Sequence, residues 1–385
     1  MKVLVLTDGI TPFVVGGMQK HSFNLCREWV IMGHEVTLLH CVPFGAELPN
    51  RAKVLDAMQL DDHATLRTIC ISFPKAGIFP GHYIKESYLY SRLCYNAIKA
   101  DIEQYDFIYA KGFCAWHFLH MKSRGQSMPP IGVKFHGYEM FQTPINWRIR
   151  MEQWLLKSPV IWNNKHADFV FSYGGKITAL IQSIGVQPQR IIEIPTGIDP
   201  RWILDRIRPS SGVRRRFLFL GRYERRKGIE ELHEVLPSLL EQHDLEFHLI
   251  GPIPPSKKIK HERVIYHGQL SNAQEIQAVM DTCHVLVTPS HSEGMPNVIM
   301  EGMARGLAVV ATDVGAVGTA VDERNGLLIP TISAMALKQQ LEVALAWTDA
   351  DLDSKRNASL EKIRGFQWNE IARRTEMEIS RRIAE

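Results

Sequence analysis

The stretch PSHSEGMPNVIMEGMARG, residues 289–306, contains two glutamates that flank the predicted start of a helix. Gly294 permits a sharp turn, and Pro296 predicts the first helical position, where its missing N–H would have no intrahelical partner anyway. The free amides and the dipole of that first turn favour a bound phosphate. Glu293 in the loop and Glu301 in the second turn would flank such an anion, as acceptors for hydroxyl groups. The stretch therefore suggests a sugar nucleotide.

A structural interpretation of the same two glutamates is the alternative. Glu293 would cap the helix, and Glu301 would be a solvated residue on its outer face. Two glutamates by themselves do not separate these interpretations, so the surrounding chain has to decide.

Length and composition indicate an ordinary globular protein with two domains. The chain has 385 residues, more than one hydrophobic core usually serves. Hydrophobic residues make up 45% and charged residues 22%, which is close to typical usage. The formal charge of +4 is small for this length, so we do not expect a nucleic-acid partner.

Cysteine usage and the absence of long apolar runs predict a cytoplasmic protein. The six cysteines are scattered, with neither a CxxC pair nor a Cys/His pair at zinc spacing, so we expect reduced core residues. The apolar part of the N-terminus is too short for a signal peptide, and no run approaches the length of a membrane span.

Apolar runs that alternate with helical patterns predict two doubly wound parallel sheets of α/β class. The predicted strands are Val3–Thr7, Glu35–His40, Thr68–Phe73, Phe107–Gly112, Ile131–Gly137, Phe169–Tyr173 and Ile191–Gly197, then Arg216–Arg222, Glu246–Gly251, Arg263–Gly268, His284–Pro289, Leu307–Thr312 and Gly326–Pro330. A polar stretch at Asp199–Val213 separates the two sets. Ligands bind such sheets beyond the carboxyl ends of the strands, so functional residues are expected there.

Two loops that follow predicted strands carry residues suited to a diphosphate. Gly16 and Gly17 precede the first helix, where bare backbone can approach an anion or a sugar; a plain turn is the alternative. Arg222 and Lys227, in GRYERRKG, open a helix and could bind two phosphates. Because cations are unfavourable at a helix start, we expect an anionic partner there; a solvated basic helix start is the alternative.

His136, in KFHGYE, is a candidate substrate contact at the end of a predicted strand. A lone histidine is often a hydrogen-bonded structural residue, and only its position at a carboxyl end favours function. Glu139 would orient His136 or a substrate hydroxyl, or cap the following turn.

The segment Asp351-Leu352-Asp353 matches the Asp-x-Asp pattern that holds a divalent metal in some sugar-nucleotide transferases. It lies in a polar connector between late helices rather than at a strand end. We therefore predict a helix start or a solvated loop here, and no metal site.

Together these segments resemble glycosyltransferase family 4, the retaining, nucleotide-sugar-dependent enzymes with two Rossmann-like domains facing across a cleft, the glycosyltransferase B (GT-B) fold. The resemblance covers almost the whole chain. It is carried by Gly16–His21, HGYE (136–139), IPTGID (194–199), GRYERRKG (221–228), EGMPNVIMEGMARG (293–306), GLAVVATDVGAVGTAV (306–321), NGLLIP (325–330) and FQW (366–368).

The resemblance implies a domain division. In this family the final helix returns to the first domain, so residues 1–200 with 366–385 would form the acceptor-side domain. Residues 201–365 would form the domain that binds the nucleotide sugar.

The resemblance also implies residue roles. Arg222 and Lys227 would bind the donor diphosphate and stabilise its charge as it leaves. Glu301 would accept ribose hydroxyls, Glu293 would contact the transferred sugar, and His136 would contact that sugar near its anomeric carbon. Further donor contacts would come from Gly16, Gly17, Gly294, Met295, Pro296 and Asn297.

The family lacks a clear protein nucleophile, so same-face attack assisted by the leaving phosphate is expected. A UDP- or GDP-sugar would be the co-substrate, with no other cofactor. The chain departs from the commoner pattern at Thr196, where asparagine is usual, and at Arg225-Arg226, where small or acidic residues are usual. These departures leave the donor unassigned.

A glycan or lipid-linked saccharide is the expected acceptor, in cell-surface polysaccharide or lipopolysaccharide synthesis. Residues 73–93 and 144–165 mix aromatic and basic side chains, which suits peripheral contact with the inner membrane face; core packing is the alternative. Three other classes stay open: a sugar-nucleotide epimerase, a glycan phosphorylase, and a non-catalytic nucleotide-sugar-binding module.

Overall fold

The apolar run KVLVL forms an interior strand of the first of two sheets. The computed structural model describes residues 1–77, 81–141, 147–210 and 214–384. The strands of the first sheet are β1 (Lys2–Leu6), β2 (Glu35–Val42), β3 (Leu66–Ser72), β4 (Phe107–Lys111), β5 (Ile131–Lys134), β6 (Phe169–Ser172) and β7 (Ile191–Glu193). Their order is β3-β2-β1-β4-β5-β6-β7, and all neighbouring pairs are parallel. The predicted doubly wound parallel sheet is confirmed.

Helices connect most of these strands and cover the sheet. They are α1 (Gly17–Ile31), α2 (Arg51–Met58), α3 (His82–Ile98), α4 (Trp116–Ser123), α5 (Trp147–His166) and α6 (Lys176–Ser183). In α1 the buried residues Leu25, Cys26 and Trp29 lie on one side of the helix, because residues three and four apart share a face. That face packs into the same core as Val3 and Val5 of β1.

The second sheet repeats this winding. Its strands are β8 (Arg215–Leu220), β9 (Leu245–Ile250), β10 (Val264–Gly268), β11 (Val285–Thr288), β12 (Ala308–Thr312) and β13 (Gly326–Ile329). They are parallel in the order β10-β9-β8-β11-β12-β13. The apolar runs predicted as strands in this half are therefore confirmed.

Helices also cover the second sheet. They are α7 (Ile229–Gln242), α8 (Ala273–Met280), α9 (Asn297–Ala304), α10 (Val317–Ala320), α11 (Ala334–Leu345) and α12 (Asp349–Ile363). In α7 the residues Ile229, Leu232, Leu236 and Leu239 are buried, at the three- and four-residue spacing of one helix face.

The C-terminal helix α13 (Trp368–Ala384) packs in the core of the first sheet. The Trp29 indole Nε1 donates a hydrogen bond to the Ala372 carbonyl at 3.2 Å. Ile371 and Ile379 are fully buried in that core. The chain accordingly divides into two units, Met1–Thr196 with α13, and Gly197–Gln367.

The division differs slightly from the boundaries predicted at 200/201 and 365/366. The Ile198 amide donates to the Phe366 carbonyl at 2.8 Å, and Leu204 donates to Ala304 at 2.9 Å. These bonds hold the start of the predicted connector Asp199–Val213 to the second unit. Its last residues, 211–213, lie outside the described part of the chain.

Asp351 and Asp353 have structural roles, and the predicted helix start is confirmed. Asp351 forms a reciprocal capping box with Thr348 at the beginning of α12. The Asp353 carboxylate accepts hydrogen bonds from the amide and the hydroxyl of Ser210 and lies 3.3 Å from Arg356 Nη1.

The cysteines are free thiols, as expected from their scattered spacing. Cys70 is half-buried and the others are buried. Burial raises the pKa of the Cys26 thiol to about 12, which keeps it protonated and unreactive.

Replacing Ile371 by alanine should destabilise the first unit by about 2–5 kcal/mol, because a fully buried side chain of α13 is lost from its core. The second unit should unfold as before. Differential scanning calorimetry is the measurement, with the two units expected to unfold in separate transitions.

Met377→Ala is the matched control on the same helix. Met377 is 55% exposed, so its removal should change stability by less than about 0.5 kcal/mol. A loss confined to the second unit in the Ile371 variant would contradict the packing of α13.

Candidate active site

The loop between β11 and α9 carries Glu293, Gly294, Met295 and Pro296 of the predicted donor site, and α9 itself carries Asn297 and Glu301. Pro296 has φ −74° and ψ 122°, an extended conformation, and α9 begins one residue later, at Asn297. The prediction that Pro296 occupies the first helical position is therefore wrong, because its ψ lies outside the helical range. Met295 is buried, and Glu301 lies half-buried in the second turn of α9.

Glu293 is held by three neighbours rather than by the helix. Lys227 Nζ donates to Glu293 Oε1 at 2.6 Å, and the Ser290 hydroxyl donates to the same oxygen at 2.8 Å. Arg226 Nη1 lies 3.8 Å from Glu293 Oε2. These contacts, and not a bond to the first turn of α9, are the ones that hold the Glu293 carboxylate, so a capping role has no support here.

Two glycines allow other backbone segments to approach this loop. Gly228 has φ +68°, and a Cβ there would lie 1.8 Å from the Pro289 carbonyl oxygen. Gly315 has φ +59°, and a Cβ there would lie 2.1 Å from the Glu293 carbonyl oxygen. Only glycine fits both the positive φ and the contact at each position. The loop is therefore fixed from two sides, by the segments before α7 and before α10.

The cations before α7 have carboxylate partners within the protein. Residues Arg225–Lys227 form a 3-10 turn that leads into α7. Lys227 pairs with Glu293, and Arg222 Nη1 lies 3.0 Å from Glu224 Oε1. These cations therefore do not need an anion from outside the protein, as the sequence had suggested. Arg222 nevertheless has a side chain that is 67% exposed and accessible to a ligand.

His136 lies two residues beyond β5, and its ring packs edge-on against the ring of His21 at 5.6 Å between centroids. The Tyr173 hydroxyl lies 3.0 Å from the ring nitrogens of His136. Burial, together with the charges of Lys111 and Lys134, holds the pKa of His136 well below 6.5. The ring is therefore neutral at pH 7 and is suited to hydrogen bonding with hydroxyl groups.

The side chain of Gln19 lies next to Gly16, on the side where a larger residue would carry its Cβ. A Cβ on Gly16 would lie 2.2 Å from Gln19 Oε1, so the glutamine side chain occupies the space that a larger residue would fill. Gln19 Nε2 in turn donates to Asp8 Oδ1 at 3.2 Å. Gly16 thus leaves room for the Gln19 side chain beside the loop after β1, and the approach of the glycine pair to a donor stays a prediction.

Sequence reasoning missed a buried polar cluster at the carboxyl ends of β1, β4 and β5. Lys111 and Lys134 are the last residues of β4 and β5, and both are fully buried. Burial holds the pKa of each lysine well below 10.5 and raises the pKa of Asp8 to about 6. The signal available in the sequence was a lysine closing each apolar run, FIYAK and IGVK.

The described residues contain no group of three His, Cys, Asp or Glu side chains that could hold a metal ion. Metal independence stays a prediction.

Comparison with known proteins assigns the family. A family model described as Glycosyltransferase Family 4 matches residues 15–202, and one described as Glycosyl transferases group 1 matches residues 214–346. A glycosyltransferase of Bacillus subtilis named for teichuronic acid biosynthesis is 35% identical over 124 residues, which cover 32% of this chain and 31% of that protein. A phosphatidyl-myo-inositol mannosyltransferase of Mycobacterium leprae is 30% identical over 192 residues, covering 47% and 51%.

The solved structures agree on the fold. Sucrose-phosphate synthase from Thermosynechococcus elongatus matches with a TM-score of 0.75 at 18% identity, over 100% of both chains. Two doubly wound domains, the two family models and this likeness identify the class: the chain belongs to the GT-B glycosyltransferases. The match to the family 4 model lies in the first part of the chain, and the match to the group 1 model lies in the second part. The chain spans between 31% and 51% of the length of the first curated relatives it matches.

Replacing Lys227 by methionine should destabilise the second unit by about 3 kcal/mol, because Glu293, with a side chain only 8% exposed, keeps a charge without its closest partner. The double variant Lys227→Met, Glu293→Gln should recover much of that loss. Urea unfolding of the wild type, both single variants and the double variant measures the coupling. Strictly additive effects would contradict an energetic link between the two residues.

Proposed function

We propose that this chain is a retaining glycosyltransferase. It moves a hexose-type sugar from a UDP- or GDP-sugar to a glycan or lipid-linked saccharide, in the synthesis of cell-surface polysaccharide or lipopolysaccharide. The observation that carries the proposal is the convergence of Lys227, Glu293 and the start of α9 on two loops at the carboxyl ends of β8 and β11, within the region that matches the group 1 model.

The donor diphosphate is bound by cations and by backbone amides. The exposed Arg222 side chain and Lys227 supply positive charge, and the first amides of α9, around Gly294 and Asn297, receive the distal phosphate. When the donor arrives, Lys227 shares its donors between the phosphate and Glu293. Because the ammonium is already held at 2.6 Å from Glu293, little reorganisation is needed.

Carboxylates bind the hydroxyl groups of the donor. Glu301, one turn into α9, accepts from the ribose, and Glu293 accepts from hydroxyls of the transferred sugar through Oε2. His136 contacts the transferred sugar as a neutral hydrogen-bonding group, in keeping with its depressed pKa.

The transfer proceeds on one face of the sugar. The bond between the anomeric carbon and the phosphate oxygen breaks, the acceptor oxygen bonds to the same face, and the hydroxyl proton passes to the leaving phosphate. Stabilising the charge on the departing diphosphate is then the main electrostatic contribution of Arg222 and Lys227. No metal ion is required by this scheme.

The relatives' names support the choice of acceptor. One is named for teichuronic acid biosynthesis and the other as a phosphatidyl-myo-inositol mannosyltransferase, which favours a polysaccharide or a lipid-linked acceptor. The chain then works in the cytoplasm at the inner face of the membrane.

Helix α5 carries a face suited to such a membrane. Trp147, Met151 and Trp154 have the spacing of one helix face and are 70%, 39% and 71% exposed. The exposed Arg150 and the nearby Lys157 add positive charge. Aromatic and basic side chains together favour anionic lipid surfaces. Residues 78–80 and 144–146 of the two segments predicted from the sequence lie outside the described residues.

None of the described helices is long and apolar enough to span a bilayer. Contact through the surface of α5 is therefore the mode that we propose.

UDP or GDP should raise the unfolding temperature of the full chain, since a ligand present at about 100 times its Kd stabilises the folded state by about 2.7 kcal/mol. Glu301→Gln should weaken binding about tenfold, through the loss of one charge-assisted hydrogen bond. Glu361→Gln, an exposed carboxylate of the same unit, is the control and should bind as the wild type does. Binding should persist in EDTA.

The products distinguish the alternatives. A transferase releases nucleoside diphosphate only with acceptor turnover, a phosphorylase makes sugar 1-phosphate from glycan and phosphate, and an epimerase converts the donor without release. A binding module does none of these. Chromatography of reactions with UDP- and GDP-sugars separates the four cases, and conversion of a donor into its epimer alone would overturn the proposal.

The wild type should float with vesicles of phosphatidylcholine and phosphatidylglycerol at low salt and dissociate at high salt, as screening weakens the attraction of Arg150 and Lys157. Trp154→Ser should reduce the floated fraction several-fold. Met335→Ala, which removes a side chain 73% exposed in the second unit, should not. Failure of the wild type to float would remove the membrane proposal.

A further inference from the structure

Helix α9, which carries the predicted donor residues Asn297 and Glu301, is only eight residues long. Its N-cap residue, Pro296, is extended and has no polar side chain with which to cap the helix. The first four N–H groups and the last four C=O groups of a helix lack intrahelical partners, so a helix of this length has few hydrogen bonds of its own. Contacts with neighbouring elements must therefore determine where α9 lies.

Arg305, the residue after α9, is buried and holds the end of this helix to two other segments. Its Nε and Nη2 donate to the two carboxylate oxygens of Asp281 at 2.7 and 2.5 Å, and its Nη1 donates to the Trp202 carbonyl at 3.1 Å. Asp281 directly follows α8, and Trp202 lies in the connector. A two-point pair with a carboxylate fixes the orientation of a guanidinium as well as its distance. The end of α9 is thereby fixed relative to α8 and to the connector.

The backbone links Arg305 to Glu301. The Arg305 amide donates to the carbonyl oxygens of Glu301 and Gly302, both at 3.1 Å. The Ala304 carbonyl accepts from the Leu204 amide at 2.9 Å, which adds a second bond between the end of α9 and the connector. Glu301 lies one turn before Arg305, so a shift at the end of this short helix carries the Glu301 carboxylate with it.

Another arginine of the same unit provides an internal comparison. Arg263 donates to the carbonyls of His243 and Leu240 at the end of α7, and its Nη1 lies 3.5 Å from Asp244 Oδ1. Its side chain is 20% exposed, against 9% for Arg305. It therefore holds a helix end through carbonyl and carboxylate contacts, as Arg305 does. None of the predicted donor residues lies within α7, however, so only Arg305 holds a helix that carries them.

We propose that Arg305 is a positioning residue for Glu301. Through its pair with Asp281 it fixes α9 in the place from which the Glu301 carboxylate reaches the ribose hydroxyls of the donor. Arg305 contacts α8 and the connector rather than the donor, so its effect passes through Glu301. The inference deepens the proposed function and rests on the ribose contact of Glu301 proposed there. A small displacement of such a contact is enough to weaken it, because hydrogen bonds depend steeply on distance and angle.

The test is the preference of the full chain for UDP over 2′,3′-dideoxy-UDP, and for GDP over 2′,3′-dideoxy-GDP, measured by isothermal titration calorimetry. The dideoxy compounds keep the base and the phosphates and lack only the hydroxyls assigned to Glu301. For at least one base, the wild type should bind the hydroxyl-bearing nucleotide about tenfold more tightly. Arg305→Met should lower this preference to about twofold, as should Glu301→Gln. The ratio of the two affinities cancels any change in binding of the phosphates.

Asp281→Asn is a second variant, which changes the other partner of the pair. Asparagine keeps the shape and one acceptor oxygen but loses the two-point contact, so the preference should fall several-fold. Arg263→Met is the matched control, because it removes an arginine from the end of a helix without donor residues, and it should keep the full preference. Thermal unfolding verifies that each variant is folded at the temperature of the titration. If Arg305→Met does not fold, Asp281→Asn decides the test.

The outcomes separate this proposal from the proposed function. If Glu301→Gln loses the preference while the folded variants of Arg305 and Asp281 keep it, the positioning role is overturned and the proposed function stands. An equal loss in Arg263→Met also overturns it, because any weakened helix end would then have the same effect. If neither UDP nor GDP binds, or if the wild type binds both members of each pair equally, the ribose contact of Glu301 fails and the positioning role fails with it. Loss of the preference in the Arg305 and Asp281 variants, but not in Arg263→Met, supports the proposal.

Discussion

Parallel strand pairing is the constraint on which the rest of this structure depends. Because each sheet is wholly parallel, the carboxyl ends of its strands lie along one edge. The strand interiors are apolar and buried, as β1 and β12 illustrate, so they offer no room for chemistry. Polar groups therefore collect where strands end: Asp8, Lys111 and His136 in the first unit, and the loops with Lys227 and Glu293 in the second.

The charged side chains of the two units have different partners. In the second unit the close pairing of Lys227 with Glu293, and of Arg222 with Glu224, brings opposite charges together. In the first unit Lys111 and Lys134 contact a neutral histidine, a carbonyl and an aromatic ring. Desolvation then dominates, and the pKa values of both lysines fall.

The strands could be predicted from the sequence because burial on both faces leaves a plain apolar run, as in KVLVL and AVVAT. Glu293 could be chosen as a site residue, but its partner could not. Lys227 is 66 residues away in sequence, and only the winding of β8 and β11 as neighbours brings the two together. The roles of Gly228 and Gly315 could not be predicted either, because the sequence does not show which backbone segment lies next to a glycine.

The predicted start of α9 was wrong because the backbone conformation at Pro296 differs from the one that its sequence preference favours. Proline is compatible with the first helical position, yet Pro296 adopts an extended ψ and α9 starts after it. The unit to which the connector Asp199–Val213 belongs was also hard to predict. Its polar composition resembles a linker, while the bonds from Ile198 and Leu204 that attach it to the second unit use backbone groups that every sequence has.

The position of α13 has a consequence for the order in which the chain acquires its structure. Trp368 packs edge-on against His21 at 4.9 Å between ring centroids, and Ile371 fills the core beneath β1. The second unit is continuous in sequence and has all its parts once Gln367 has been synthesised. The first unit must wait for the final helix before its core closes. The domain that begins first on the ribosome is therefore the one completed last.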